Sequence, residues 1–535
     1  MFKLLLFLCG FHIQSLNLTM KIPPLNLINA NFITLNPQQP KVQDIFIKNG
    51  KIESLNQRMY SARNLNLEGA TVIPGFIDAH YHLSNLGKFL ENLNVVGMKS
   101  PSQIVELIQN KLNNYPKGSW VLGRGWDQSL WDNAEFPSAK IFDELFIDHP
   151  IALTRIDGHA LWVNKRARQI SGYEENPDVI PGGEVINDCI FIDNAMETIR
   201  NAIPKPSDYD VMRYIETGLK QTVANGITGI HDAWQDRKIV TSIQKLVNKE
   251  RFPIRCYGML NGNDANFLKE WFQQGKIVNE RYTIRAVKAF MDGALGSRGA
   301  CLFDEYSDDP GNFGLILLSN YEFDELAKKC HHFGFQLCTH AIGDKGNKLV
   351  LDTYKKYLQG QNDLRWRVEH AQMVRDEDIP TFVDNDILPS MQPSHCTSDS
   401  RWMDKRIGND RSHRISRWKS FINAGLKIPG GSDCPIEKGN PLLEFFSAVT
   451  RKNPNYSDDI SWQPQEKVNR IEALKMLTTW AAYGGFEENQ RGRIQKGFDA
   501  DFTVLSQDIT TCKEEDILKT EVLMTFVGGE LVYKK

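Results

Sequence analysis

Two histidines one residue apart, His80-Tyr81-His82, close the apolar run VIPGFIDAH. In a strand, residues i and i+2 face the same side, so these imidazoles lie about 6–7 Å apart at Cα and can converge on one metal ion. An H-x-H pair alone fits one buried and one solvated histidine equally well. Its weight comes from other polar residues that end apolar runs in the same manner. His340 closes FQLCTH, His370 closes RWRVEH, Asp433 closes LKIPGGSD, and Lys288 lies inside IRAVKAFMD. Singly, each is an ordinary capped strand end. Together, four neutral nitrogens, a carboxylate and a lysine form a donor set suited to zinc or a similar divalent ion.

These residues need a scaffold that brings strand ends together. Eight strands are expected, at Val72–His80, Gly226–Asp232, Pro253–Leu260, Ile284–Asp292, Phe335–His340, Arg365–His370, Ile387–Gln392 and Leu426–Asp433. Helical stretches fall between most of them; VMRYIETGLKQTVANG has apolar residues at helical spacing and ends at Gly226. Alternating β and α elements imply a parallel sheet, and eight units imply closure into a (β/α)₈ TIM barrel of the α/β class, whose active sites sit at the C-terminal strand ends. About 145 residues separate the first two strands, too many for a loop, so an inserted subdomain is expected at 92–206, with strands at SWVLGRGW and HPIALTRID. Both chain ends are β-rich: LNLINANFITL, DIFIKNGKIESL with its Asn49-Gly50 turn, ADFTVLSQD and EVLMTFVGGELVYKK point to one small sheet domain assembled from both termini.

Trp126 and Asp127 in GRGWDQ and His159 in DGHALW belong to the insertion, which can lean over the barrel mouth and contact substrate; the alternative for Trp126 and Trp162 is a place in the subdomain core. Asp292 opens the loop DGALGSRG, whose backbone N–H groups and Arg298 could meet an anionic or carbonyl group, although the loop lacks a phosphate-loop pattern. His231 and His395 follow strands and are candidates to support the ligands. His331 and His332 sit on a helical stretch, and His149 and His413 have no special placement. Cys434, beside Asp433, has no evident base partner and reads as packing.

Composition narrows the classes. With 63 Lys plus Arg against 66 Asp plus Glu, the net charge of −3 gives no electrostatic case for nucleic acid. A mean hydropathy of −0.39 excludes wholesale membrane embedding. The nine cysteines include no C-x-x-C pair, so neither a disulfide framework nor a cysteine zinc site is indicated, and free thiols fit a reducing, cytoplasmic setting. The first nineteen residues, beginning MFKLLLFLCGF, read either as an export signal or as sequence upstream of a true start at Met20; they are too short to span a bilayer.

The stretches VIPGFIDAHYH, GRGWDQSLW, DHPIALTRIDGHALWVNKRA, ANGITGIHDAW, VKAFMDGALGSRGA, THAIGDKGN, RVEHAQ, PSMQPSHCTSD, GGSDCPIE and RGRIQKGFDADFTVL resemble the amidohydrolase superfamily of metal-dependent hydrolases, and within it amidohydrolase family 3, the YtcJ-like branch that includes N-substituted formamide deformylase. The resemblance runs from about Val72 to Leu505. It implies a TIM barrel beside a two-part β-sandwich, partitioned as 20–71 and 489–535 for the sandwich and 72–488 for the barrel. By position it implies His80, His82, His340 and His370 as metal ligands, Asp433 as both ligand and proton carrier, and Lys288 as the lysine that is carboxylated and bridges two metals in binuclear members. A salt bridge or substrate contact by Lys288 is the alternative. The expected activity is hydrolysis of a C–N bond in a small amide-like, formamide-like or cyclic molecule, with one or two divalent ions, zinc by donor type. Deamination of a nucleobase-like ring on the same centre, or a barrel that binds metal and ligand without turnover, are the rivals. No nucleic-acid or stable membrane partner is expected, and a homodimer is left open.

Overall fold

In the computed structural model, residues 23–535 are described except 157, 174–182, 360–361 and 456–459; the export-signal reading of residues 1–19 and the alternative start at Met20 lie outside the described residues. Seven short runs, apolar on both faces, form parallel strands that we number β1 (Phe76–Tyr81), β2 (Ile227–Gln235), β3 (Arg255–Asn261), β4 (Tyr282–Phe290), β5 (Gln336–Ala341), β6 (Arg367–His370) and β7 (Leu388–Ser390). They pair in sequence order, each with its neighbour. Burial on both faces is what a parallel sheet covered by helices requires, and their side chains form the largest continuous core of the molecule.

The eighth expected strand, Leu426–Asp433, is not a regular strand. Residues 429–434 nevertheless close the ring. Met391 bridges Gly430 and Tyr81 bridges Cys434, both in parallel. The Gly431 amide donates to Met391 and the Ala79 amide to the Gly430 carbonyl. The ladder stays short because Pro429 has no N–H to give and Asp433 has φ 56°, which ends the extended run.

The expected strand Val72–His80 is likewise two strands. Thr71–Pro74 pairs antiparallel with Phe502–Leu505 in a five-stranded sheet, and β1 begins after Gly75. A Cβ on Gly75 would stand 2.3 Å from the Thr228 side chain, so the chain passes between sheets where only glycine fits. The five-stranded sheet takes two strands from the N-terminal part (Asn31–Phe32, Thr71–Pro74) and three from the C-terminal part (Phe502–Leu505, Val522–Val527, Glu530–Lys534). A four-stranded sheet formed by Leu25–Ile28, Ile45–Lys48, Lys51–Leu55 and Arg63–Asn66 shares a core with it, including Leu27, Ile47, Phe502 and Phe526.

Between β1 and β2, the helix Leu83–Glu91 leads into a six-stranded sheet that includes Val121–Trp126, Ile151–Arg155 and Ala160–Val163. The helix Asp208–Ala224 leads back, started by a reciprocal Ser207/Asp210 capping box. The two helices cross closely at Gly87 and Gly218; a Cβ on Gly87 would collide with the Tyr214 carbonyl oxygen at 1.7 Å.

The barrel is clasped to the β-sandwich at the end opposite the mouth. Arg255, at the start of β3, is buried and donates to Asp501 through Nε at 2.8 Å and Nη2 at 3.1 Å, with Asp499 3.2 Å from Nη2. Removing one partner of a buried ion pair leaves an uncompensated charge. We predict that Asp501→Ala destabilises the protein by about 3 kcal/mol, read as a lowered thermal midpoint, while metal content in the folded fraction is unchanged.

Candidate metal centre

The barrel delivers the polar strand ends to one rim. His80 ends the inward face of β1 and His82 follows it; His340 lies near the end of β5 and His370 ends β6. Asp433 comes from the closing segment. The His82 Nε2 stands 2.9 Å and the His80 Nε2 3.5 Å from Asp433 Oδ1, and His395 Nε2 is 3.9 Å from Oδ2. The ring centroids of His80 and His370 are 4.9 Å apart, and those of His340 and His370 4.6 Å. Lys288 is wholly buried on β4, on the same face as Phe290, whose ring its Nζ approaches at 4.3 Å.

Hydrogen bonds behind the rings decide which nitrogens face the centre. His80 Nδ1 donates to Glu369 Oε2 at 2.6 Å, His82 Nδ1 to the Ala233 carbonyl at 2.9 Å, and His370 Nδ1 to Gln392 Oε1 at 2.7 Å. With each Nδ1–H engaged, each ring turns its Nε2 inward, the orientation a metal-binding imidazole needs. Burial opposes protonation of His82, but the hydrogen bond with Asp433 Oδ1 outweighs it and raises the imidazole, so a proton or a metal ion belongs between these two atoms. The ligating atoms of His80, His82 and Asp433 lie within 4.8 Å of one another, as do those of His370, His395 and Asp433. Ligands about 2.0–2.2 Å from one ion are compatible with such spacing. Lys288 Nζ has no hydrogen-bond partner among the described residues. The donor set therefore fits a divalent ion, with Asp433 common to both groups.

The electrostatics agree. Burial, aided by neighbouring His340 and His80, holds the His370 imidazole well below its ordinary value, and burial with the Lys288 charge pulls His340 down to about 3. Both rings are thus neutral and available as ligands. Burial alone would raise Asp433, but His80 and His82 outweigh it and hold the carboxyl well below its usual range. Burial also brings the Lys288 amine down to about 8.

Two further carboxylates hold this arrangement. Burial opposes ionisation of Glu369, but Arg367 and His80 overcome it and keep the carboxyl far below the ordinary range. Arg367 Nε lies 2.7 Å from Glu369 Oε1, while its Nη2 donates to the Ala79 carbonyl and Ser390 Oγ and its Nη1 reaches His231 Nδ1 at 2.8 Å. Asp78 accepts from the amides of His80 and Ser432 and from the Ser432 hydroxyl, stitching β1 to the closing segment. The Asp433 amide donates to the His80 carbonyl at 2.7 Å. That bond and the Asp78 clamp hold Asp433 in the left-handed region, a conformation that costs a non-glycine residue about 1–3 kcal/mol and occurs preferentially at functional sites.

His80, His82, His340, His370, His395 and Asp433 line a cavity of about 680 Å³. The softer candidates from the sequence lie elsewhere. Trp126 is fully buried in the insertion, its Nε1 donating to the Leu153 carbonyl and its ring packed with Trp131 and Trp162. His159 is exposed and pairs with Asp193 at 2.7 Å. Arg298 pairs with Asp308. Asp292 is buried and accepts the amides of Cys301, Ile342 and Gly343, with one oxygen 3.6 Å from His340 Nε2; it ties the loops after β4 and β5 together. None of the four lines the cavity. The insertion reaches the cavity through Arg124. Glu369, Arg367 and Gln392 escaped the sequence reading. The signal for Glu369 was its position next to His370 with a buried arginine two residues earlier; Gln392 had none.

Comparison with known proteins places this geometry. The model of the "Amidohydrolase family" matches residues 63–533. The chain is 31% identical over 510 residues to the "Putative amidohydrolase YtcJ" of Bacillus subtilis, covering 92% of this chain and 95% of that one. It is 25% identical over 540 residues to the N-substituted formamide deformylase of Arthrobacter pascens, covering 96% and 98%. Among solved structures, an uncharacterized metal-dependent hydrolase from Pyrococcus horikoshii OT3 superposes with a TM-score of 0.79 at 25% identity, covering 92% of this chain and 99% of that one.

The orienting role of Gln392 is open to a direct check. We predict that Gln392→Leu leaves the fold intact and lowers divalent-metal affinity about 10–100-fold, measured by titration against a competing chelator.

Proposed function

Because the chain belongs to the amidohydrolase family, we propose that it hydrolyses a C–N bond of an amide-like small molecule at a divalent metal centre held by His80, His82, His340, His370 and Asp433. Water adds to the carbonyl carbon, the C–N bond breaks, and a carboxylate and an amine leave. The observation that carries this reading is the Asp433 carboxylate set 2.9 Å from His82 Nε2 and 3.5 Å from His80 Nε2. Donors of imidazole and carboxylate type suit zinc. When bound, the ion supplies Lewis acidity, lowering the pKa of water and polarising the carbonyl.

The chain's own residues do the rest. Asp433, ionised and at the edge of the cavity, takes the proton lost by the attacking water onto its carboxylate and passes it to the departing nitrogen. Glu369 and Gln392 keep His80 and His370 in a single tautomer through the cycle. Phe290, Leu295 and Ile342 give the cavity an apolar wall that limits bulk water. Lys288, with its amine drawn down to about 8, has a substantial neutral fraction near neutral pH and can add carbon dioxide, forming a carbamate and releasing a proton. That carbamate would give the centre a second carboxylate and room for two ions.

Asp433→Asn is expected to lower turnover about 100- to 10,000-fold while most of the metal is retained, measured on an amide panel with metal analysis of the same samples. Full activity in that variant would exclude Asp433 as the proton carrier. Treatment of the wild-type protein with a strong chelator is expected to abolish hydrolysis, and added zinc to restore it; turnover that survives complete metal removal would reject the metal centre.

A further inference from the structure

The metal-centre cavity has a larger neighbour. The helices Ala265–Gln274 and Asn320–Phe333 leave between them a groove of about 1350 Å³. The first helix follows the end of β3 and the second leads into the start of β5, so both run from the barrel mouth toward its base. At 1.5 Å per residue, the longer helix gives the groove a length of about 20 Å.

The two spaces are continuous. His82, Asn85 and Phe290 line both. At the junction stands Trp234, half-buried, with its ring 4.7 Å from that of Phe290. Its φ of 67° is a left-handed conformation that a bulky side chain rarely adopts. Strain of this kind is kept where the position of a side chain matters.

Below the junction the walls carry an apolar strip beside polar residues that include Asn263, Asn266 and Gln273. Leu268, Phe272, Leu318 and Leu326 line the groove, and Phe272 stacks on Phe333 at 5.0 Å near the base. Leu317 is 53% exposed, Tyr321 76% and Phe333 40%; Leu315 and Ile316 extend this surface beside them. A contiguous apolar surface of this kind marks a binding site more often than chance exposure. The charged lining residues are Lys269 and Lys329 against Glu322 and Glu325, so neither sign dominates. A charged ligand is not favoured, and an uncharged hydrocarbon is.

We propose that this groove seats a long apolar substituent of the substrate, an extended acyl or N-alkyl chain, while the bond to be cleaved lies at the metal centre. The proposal rests on the amide hydrolysis set out above. It makes the enzyme selective for amphiphilic amides with an extended hydrocarbon tail, and it makes Leu317, Tyr321 and Phe333 specificity residues with no part in the chemistry.

The test uses the metal-loaded full chain and a series of N-acyl amides with tails of about two to fourteen carbons. Each methylene that enters the groove should raise kcat/KM about two- to fourfold. Leu317→Asp and Tyr321→Asp, both at exposed positions that fold without strain, should flatten this rise and leave the shortest amide unchanged. In parallel, binding of a dansyl-labelled long-chain alcohol reports on the groove independently of hydrolysis: the wild type should bind it and both variants should bind it at least tenfold more weakly. A kcat/KM that ignores tail length, or a rise that survives in both variants, overturns the proposal. If no amide is hydrolysed, the reaction assigned above fails, and the probe alone decides the groove: binding lost in the variants upholds it as an apolar-chain site, and binding absent from the wild type or unchanged in the variants overturns it.

Discussion

A carboxylate taken out of water must be matched by positive charge, and Asp433 sets that demand for the whole mouth of this barrel. It is 8% exposed and surrounded by the Nε2 atoms of His80, His82 and His395. An isolated buried carboxylate is costly by several kcal/mol, and neutral histidines cannot offset that without a proton or a metal ion. The backbone adds its own cost, because Asp433 sits at φ 56°. Both costs are tolerable only because Asp78, Ser432 and the His80 carbonyl hold the closing segment against β1. The site is thus held open for a cation by interactions that lie outside it.

The supporting charges are layered in depth. Nearest the mouth are the histidines and the aspartate proposed to hold the metal. Beneath them Glu369 orients His80, and beneath that Arg367 compensates Glu369 while touching β1 through the Ala79 carbonyl and β7 through Ser390. One guanidinium therefore ties three strands to the tautomer of His80. At the far end of the barrel, Arg255 and Asp501 perform a separate task, fastening the sheet domain to the barrel. Stability and chemistry occupy opposite ends of the same strands, the usual division in this architecture.

On the proposed reading, selectivity would be separated from chemistry in a similar way. The cavity around His80, His340, His370 and Asp433 has a few polar groups and an apolar wall; the groove between the two flanking helices meets this cluster only at His82. Away from the junction at His82, Trp234 and Phe290, residues of the groove come from the two helices and from the loop after β4, so they can change without disturbing the histidine and aspartate cluster. Asp292 shows the boundary between these roles. It sits close to His340, yet its oxygens are taken up by three backbone amides that tie the loops after β4 and β5 together.

Much of the site could be read along the chain. His80, His82, His340, His370 and Asp433 each end an apolar run, and a parallel barrel turns that one-dimensional regularity into a ring. The eighth strand and the long first strand depart from the sequence pattern for local reasons: Pro429 and the left-handed Asp433 shorten the one, and Gly75 lets the other cross between two sheets. Trp126 and His159 carried chemically suggestive neighbours, but hydrophobic burial took Trp126 into the insertion's core and His159 paired with Asp193 on the surface. Glu369, Gln392 and the groove beside Phe290 were beyond sequence periodicity. The sequence determined which side chains end the strands, because alternation and apolar runs are local properties of the chain. The tertiary structure alone decided which nitrogen of each histidine faces inward and which helices part to leave a groove, because those depend on contacts between residues as distant as His80 and Glu369.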